Sequence, residues 1–135
     1  MKGSGLLLAS IGLLALSVAA QESARSAEPD NFLVRTTQDM VALCKADAGS
    51  ANQVAAIHFC HGFASGAYQY YQSVAAASPK TSFICLPNPT PTRSAAIAEF
   101  VAWAQGKPSE LSAKPVDSMF RFLAERFPCA STPAN

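Results

Sequence analysis

The chain has 135 residues, ten basic and nine acidic, and a formal net charge of +1. Lys2 lies in an N-terminal leader, so the chain beyond residue 20 carries nine residues of each sign. That balance argues against nucleic acid or an anionic membrane surface as the main partner, and the length suits a single domain.

Residues 1–20 read as a signal peptide. Lys2 gives a positive start, Leu6 to Leu16 is apolar, and Ser17-Val18-Ala19-Ala20 places small residues before Gln21, so cleavage is expected after Ala20. The apolar run is shorter than the roughly 20 residues a bilayer span needs. A periplasmic protein with no membrane anchor after cleavage is therefore expected. Residues 21–34 are expected to form a flexible tail, because Gln21 to Asn31 is polar, contains Pro29 and lacks periodicity. Residues 35–129 are expected to form the domain, and 130–135 a C-terminal tail.

Four helices are expected in the domain. The first spans Thr36 to Lys45, capped by Thr36 or Thr37, with Met40, Leu43 and Cys44 on one apolar stripe. The second opens at a Ser50-Ala51-Asn52-Gln53 capping box and runs to Ala77, where Ser78-Pro79 stops it. Ala56, Cys60, Phe63, Ala67, Tyr70 or Tyr71, and Val74 recur along it at helical spacing. Gly62 and Gly66 cost about 1 kcal/mol each relative to Ala inside a helix. Close approach of another helix or of a second copy would offset that, and a kink near them is the other reading. Tyr68, Tyr70 and Tyr71 read either as core residues with wet tips or as part of an interface.

Thr81 to Thr92 holds Pro87, Pro89 and Pro91 and is expected to be extended, with Phe83 and Ile84 pointing inward. The third helix runs from Arg93 to Gln105 with Ile97, Phe100, Val101 and Ala104 inward. The fourth starts at Pro115 with a stripe of Val116, Met119, Phe120, Leu123 and Phe127. The fold class is thus all-α: a small four-helix bundle, five with a short extra turn, stapled by two disulfides.

Cys44, Cys60, Cys85 and Cys129 are the staples. An even count in an exported chain of this size predicts disulfides. Their separations of 16, 25 and 44 positions lack the close pairs of a zinc site. Four cysteines allow three connectivities, and sequence alone does not choose among them. A chain path that turns back at Ser78-Pro79 favours Cys60–Cys85, which leaves Cys44–Cys129.

Little in the chain carries chemistry. His58 and His61 share a helix face, but as metal ligands they need a third from elsewhere. Neither a G-x-S-x-G elbow, a phosphate loop nor paired carboxylates at useful spacing is present. No enzymatic activity, cofactor or metal is expected.

Three cysteine contexts carry a resemblance. Cys60-His61-Gly62-Phe63-Ala64-Ser65-Gly66, Phe83-Ile84-Cys85-Leu86-Pro87 and Phe127-Pro128-Cys129 occur in an order and spacing similar to those of the Rap/Tai immunity proteins of type VI secretion. The resemblance covers residues 44 to 129. It implies an exported helical protein, often a homodimer, that binds a peptidoglycan amidase toxin and blocks its cleft with a protruding segment. By position, that segment is the turn Gln105, Gly106, Lys107, Pro108, Ser109, Glu110 and Leu111; an ordinary interhelical connection is the alternative reading. Rival functions are a small periplasmic chaperone or stress protein, and an envelope protein with a non-toxin partner.

Overall fold

A computed structural model describes residues 27–130; the expected leader at residues 1–20, residues 21–26 and residues 131–135 lie outside the described residues. Among those described, the helices are α1 (Thr37–Cys44), α2 (Gln53–Ala77), α3 (Arg93–Gln105), α4 (Pro108–Leu111) and α5 (Pro115–Arg126), with 3-10 turns at Pro29–Leu33 and Pro79–Thr81. The architecture is all-α, with a single isolated bridge among the described residues, pairing Ile84 and Pro128.

The short α1 lies at the centre and touches α2, α3, α4 and α5. Thr36 caps it: its hydroxyl accepts from the Asp39 N–H, and the Asp39 carboxylate accepts from the Thr36 N–H. Met40 and Leu43 are enclosed by Ile97, Phe100 and Ala104 of α3 and by Met119 and Phe122 of α5. A fully buried apolar side chain of this kind stabilises by about 1.5–3 kcal/mol. A second cluster joins Tyr71, Ile84 and Phe127. The Tyr71 hydroxyl accepts from the Phe83 and Ile84 N–H groups, each at 2.9 Å, and so ties α2 to the returning chain.

Several expectations are corrected. The disulfides are Cys44–Cys60 and Cys85–Cys129, with Cα separations of 5.2 and 4.7 Å, and not Cys60–Cys85 and Cys44–Cys129. The reason is reach. Helix α2 carries the chain about 25 Å beyond Cys60 at 1.5 Å per residue. The few residues from Ser78 to Cys85 span at most about that distance when fully extended, and the first of them coil into the 3-10 turn Pro79–Thr81. The chain instead meets the end of α5, where the Cys85 N–H donates to the Phe127 carbonyl and the Cys129 N–H to the Phe83 carbonyl. The connection at 45–52 folds α2 back onto α1 and brings Cys60 to Cys44.

The Ser50–Gln53 capping box does not form. Helix α2 begins at Gln53 behind Asn52, whose side-chain amide donates to the Ala27 carbonyl, while the Ser50 hydroxyl is buried without a hydrogen-bond partner among the described residues. Residues 27–34 are not a flexible tail. Ala27 is buried, Phe32 meets Phe59 edge to face at 5.6 Å, and Pro29–Leu33 coils against α1. Helix α2 is continuous through Gly62 and Gly66. A Cβ at either would meet no atom within 4 Å, so no described helix of this chain approaches them closely.

On α2 it is Tyr71 that turns inward, while Tyr70 and Val74 are exposed. Phe83 is also exposed, its ring lying 5.0 Å from that of Tyr71 and 6.4 Å from that of Phe120. Val116 faces outward. The inward stripe of α5 includes Ser118 and Phe122, which the expected stripe omitted.

Candidate functional site

The segment from Gln105 to Leu111 links α3 to α5. Within the expected turn it holds a short helix. Gly106 ends α3, its N–H donating to the Ala102 carbonyl. Pro108 starts α4, where its missing N–H costs nothing. The Glu110 N–H returns to the Lys107 carbonyl and the Ala113 N–H to the Glu110 carbonyl. Leu111 packs against the core, whereas Gln105, Gly106, Pro108 and Ser109 are exposed.

Two polar clusters pin this segment. In the first, the buried Thr37 hydroxyl donates to Ser118 Oγ at 2.9 Å, and the Ser118 hydroxyl donates to Glu110 Oε2 at 2.7 Å. Arg121 Nε and Nη2 grip the same carboxylate at 3.0 and 2.8 Å. The turn is thereby tied to both α1 and α5. In the second cluster, Lys107 Nζ lies 2.7 Å from Glu125 Oε2 and 4.5 Å from the centre of the Trp103 ring, and the indole N–H donates to the same Glu125 oxygen at 2.8 Å. The bonds from Lys107 and then Trp103 hold the Glu125 carboxyl below the usual range.

The bonds from Arg121 and then Ser118 likewise hold the Glu110 carboxyl below its ordinary pKa. A depressed carboxylate stabilises the fold above its unfolded pKa of about 4.3, and the benefit is lost as pH falls through the lower folded value. Glu110→Gln is therefore expected to lower the thermal midpoint at pH 7. The gap between variant and wild type should narrow as the pH falls below the ordinary carboxylate range and Glu110 itself becomes neutral. Calorimetry across pH checks this, and a gap that stays constant to low pH rules out the charge as its source.

Of the other residues singled out, Gly62 and Gly66 lie on the open outer face of α2. His58 is exposed, His61 is half-buried, and Cys60 is in the core. Among the described residues, no group of three or more His, Cys, Asp or Glu side chains is placed to hold a metal ion. Sequence reasoning missed the contributions of Ser118, Arg121, Trp103 and Glu125 to the turn. Arg121 and Glu125 recur one helical turn apart on α5, but nothing in their spacing names Glu110 and Lys107 as partners.

No curated protein and no solved structure matches the chain significantly. The family model of the Rap1a immunity proteins matches residues 36–129. That span runs from the Thr36 cap of α1 to Cys129 and includes both disulfides and the pinned turn. The chain belongs to the Rap1a immunity protein family.

Proposed function

We infer that this chain is an exported, periplasmic immunity protein that binds a peptidoglycan amidase effector of type VI secretion and occludes its cleft with the turn Gln105 to Leu111. The observation that carries the reading is the family membership over residues 36–129, because an immunity protein acts by binding an effector. The pinned turn supports the choice of segment. A loop already held by Arg121, Ser118 and Glu125 loses little freedom on docking, so more of the contact energy appears as affinity. The exposed side chains Gln105 and Ser109 and the backbone at Gly106 are then the groups offered to the partner.

Two disulfides suit an oxidising compartment. No helix among the described residues is long and apolar enough to cross a membrane. Binding without turnover follows from the same reading. So does the homodimer, for which the open face around Gly62 and Gly66 leaves room for a second copy.

The test mixes the purified mature chain with a type VI peptidoglycan amidase effector encoded in the same genome and follows hydrolysis of isolated sacculi. Hydrolysis should stop at a stoichiometric amount of chain. Ser109→Arg, on an exposed position that leaves the pinning contacts intact, should relieve the inhibition. Full hydrolysis with the wild-type chain in excess overturns the immunity reading. Unchanged inhibition by Ser109→Arg overturns the choice of segment.

A further inference from the structure

Along the N-terminal half of α3, a cavity of about 280 Å³ opens between α2, the extended segment after Cys85, α3 and α5. That is close to the lower end of the size range of small-ligand sites, roughly 300–1,000 Å³. Its inner wall is apolar: Ile97, Phe100, Met119, Phe122 and Phe127 are all buried, with Met40 of α1 behind them. Its outer wall is polar and exposed, formed by Gln69 and Gln72 of α2, Thr90, and Arg93 at the first position of α3. Arg93 stands one helical turn before Ile97 and two before Phe100, so the cation sits at the rim of the same stripe that lines the interior.

Three features distinguish this cavity from a packing defect. Among the described residues, Arg93 is the only charged one on its wall. Among the same residues no carboxylate comes within the 4.0 Å of an ion pair with Arg93, whereas Arg35, Lys107, Arg121 and Arg126 all have such partners. Ser65, also on the wall, carries a buried hydroxyl with no hydrogen-bond partner among the described residues. The groove therefore combines an apolar interior, one uncompensated positive charge at its mouth, and a polar group left unsatisfied.

We propose that this cavity binds a medium-chain alkyl monocarboxylate, with the alkyl chain against Phe100, Met119 and Phe122 and the carboxylate on the Arg93 guanidinium. A single guanidinium matches a single carboxylate in the bidentate geometry that Arg favours. Gln69 and Gln72 are placed to donate side-chain amide hydrogens at the same rim. Met40 and Met119 give the interior side chains that adjust to chains of different length. The site is separate from the turn proposed to contact the effector and does not depend on that reading.

Isothermal titration of the disulfide-intact mature chain with decanoate tests it, with decanol and butyrate as comparison ligands. Decanoate should bind saturably at one site and butyrate should not. Arg93→Ala should weaken decanoate by about tenfold or more, the usual worth of a charge-assisted hydrogen bond, and leave decanol within about twofold. Ala96→Leu, which places a larger side chain on the cavity wall and keeps a good helix former, should abolish binding of both. Circular dichroism confirms that both variants stay folded. Absence of saturable decanoate binding, equal loss of decanoate and decanol in Arg93→Ala, or undiminished binding by Ala96→Leu each overturns the proposal.

Discussion

Replacing Cys85 and Cys129 together by Ala is expected to cost about 4 kcal/mol, and replacing Cys44 and Cys60 about 3 kcal/mol. In the chain-entropy description the cost follows the length of the closed loop, and the two bridges close 44 and 16 residues. The longer bridge also fixes local structure. It holds Ile84 against Pro128 and the Cys85 N–H on the Phe127 carbonyl. Those contacts keep the Phe83 and Ile84 N–H groups on the Tyr71 hydroxyl. For a domain of this size, 1 kcal/mol corresponds to roughly 4–8 °C, so the thermal midpoint of the Cys85/Cys129 variant should fall by about 15–30 °C. Thermal unfolding followed by circular dichroism reads this. A fall of only a few degrees would mean that helix packing alone holds the chain end in place.

Phe122→Ala carries the second large effect. Phe122 is 3% exposed. Its ring centre lies 5.8 Å from those of both Phe100 and Trp103, and 6.5 Å from that of Phe127. Truncating a core phenylalanine costs about 3–5 kcal/mol, the sum of lost transfer energy and the cavity left behind. Here the void opens onto the cavity between α2 and α3. Water can enter it, which places the expected cost near the lower figure. Urea unfolding should show a lower midpoint with an unchanged slope. Val116→Ala, on the outward side of the same helix, should stay within about 0.5 kcal/mol of wild type. With net stabilities of small domains at about 5–15 kcal/mol, Phe122→Ala removes a large share of what holds the fold.

Much of the fold is legible in the chain because its helices are punctuated. Thr92 and Pro115 open α3 and α5 near where side-chain pattern and proline chemistry place them. Ile97, Phe100, Val101 and Ala104 are all buried, as their spacing requires. What was not legible depends on tertiary context. Ser118 looks like an outward polar residue, yet it is buried because the Thr37 hydroxyl and the Glu110 carboxylate provide partners from distant parts of the chain. Its inward turn brings Phe122 with it and rotates Val116 to the surface.

The Ser50 box matched a motif, but the Ala27 carbonyl captures the Asn52 side chain and helix α2 starts at Gln53. Residues 27–34 lack periodicity because they pack as a single 3-10 turn, too short to show one. The disulfide pairing turned on reach: the end of helix α2 at Ala77 was readable, but the 3-10 turn that shortens the returning segment, and its pairing with the end of α5, were not. For the candidate site, the position between α3 and α5 was readable. Its rigidity was not, because the pinning bonds join residues 8 to 81 positions apart in sequence.

Hydrogen–deuterium exchange of the chain alone and in complex with the proposed amidase effector tests the proposed binding mode most directly. New protection should concentrate in the amides of residues 105–112, with the core of α1 unchanged because it is already protected. Protection confined to the outer face of α2, around His58, Gly62 and Gly66, with none at 105–112, would contradict it.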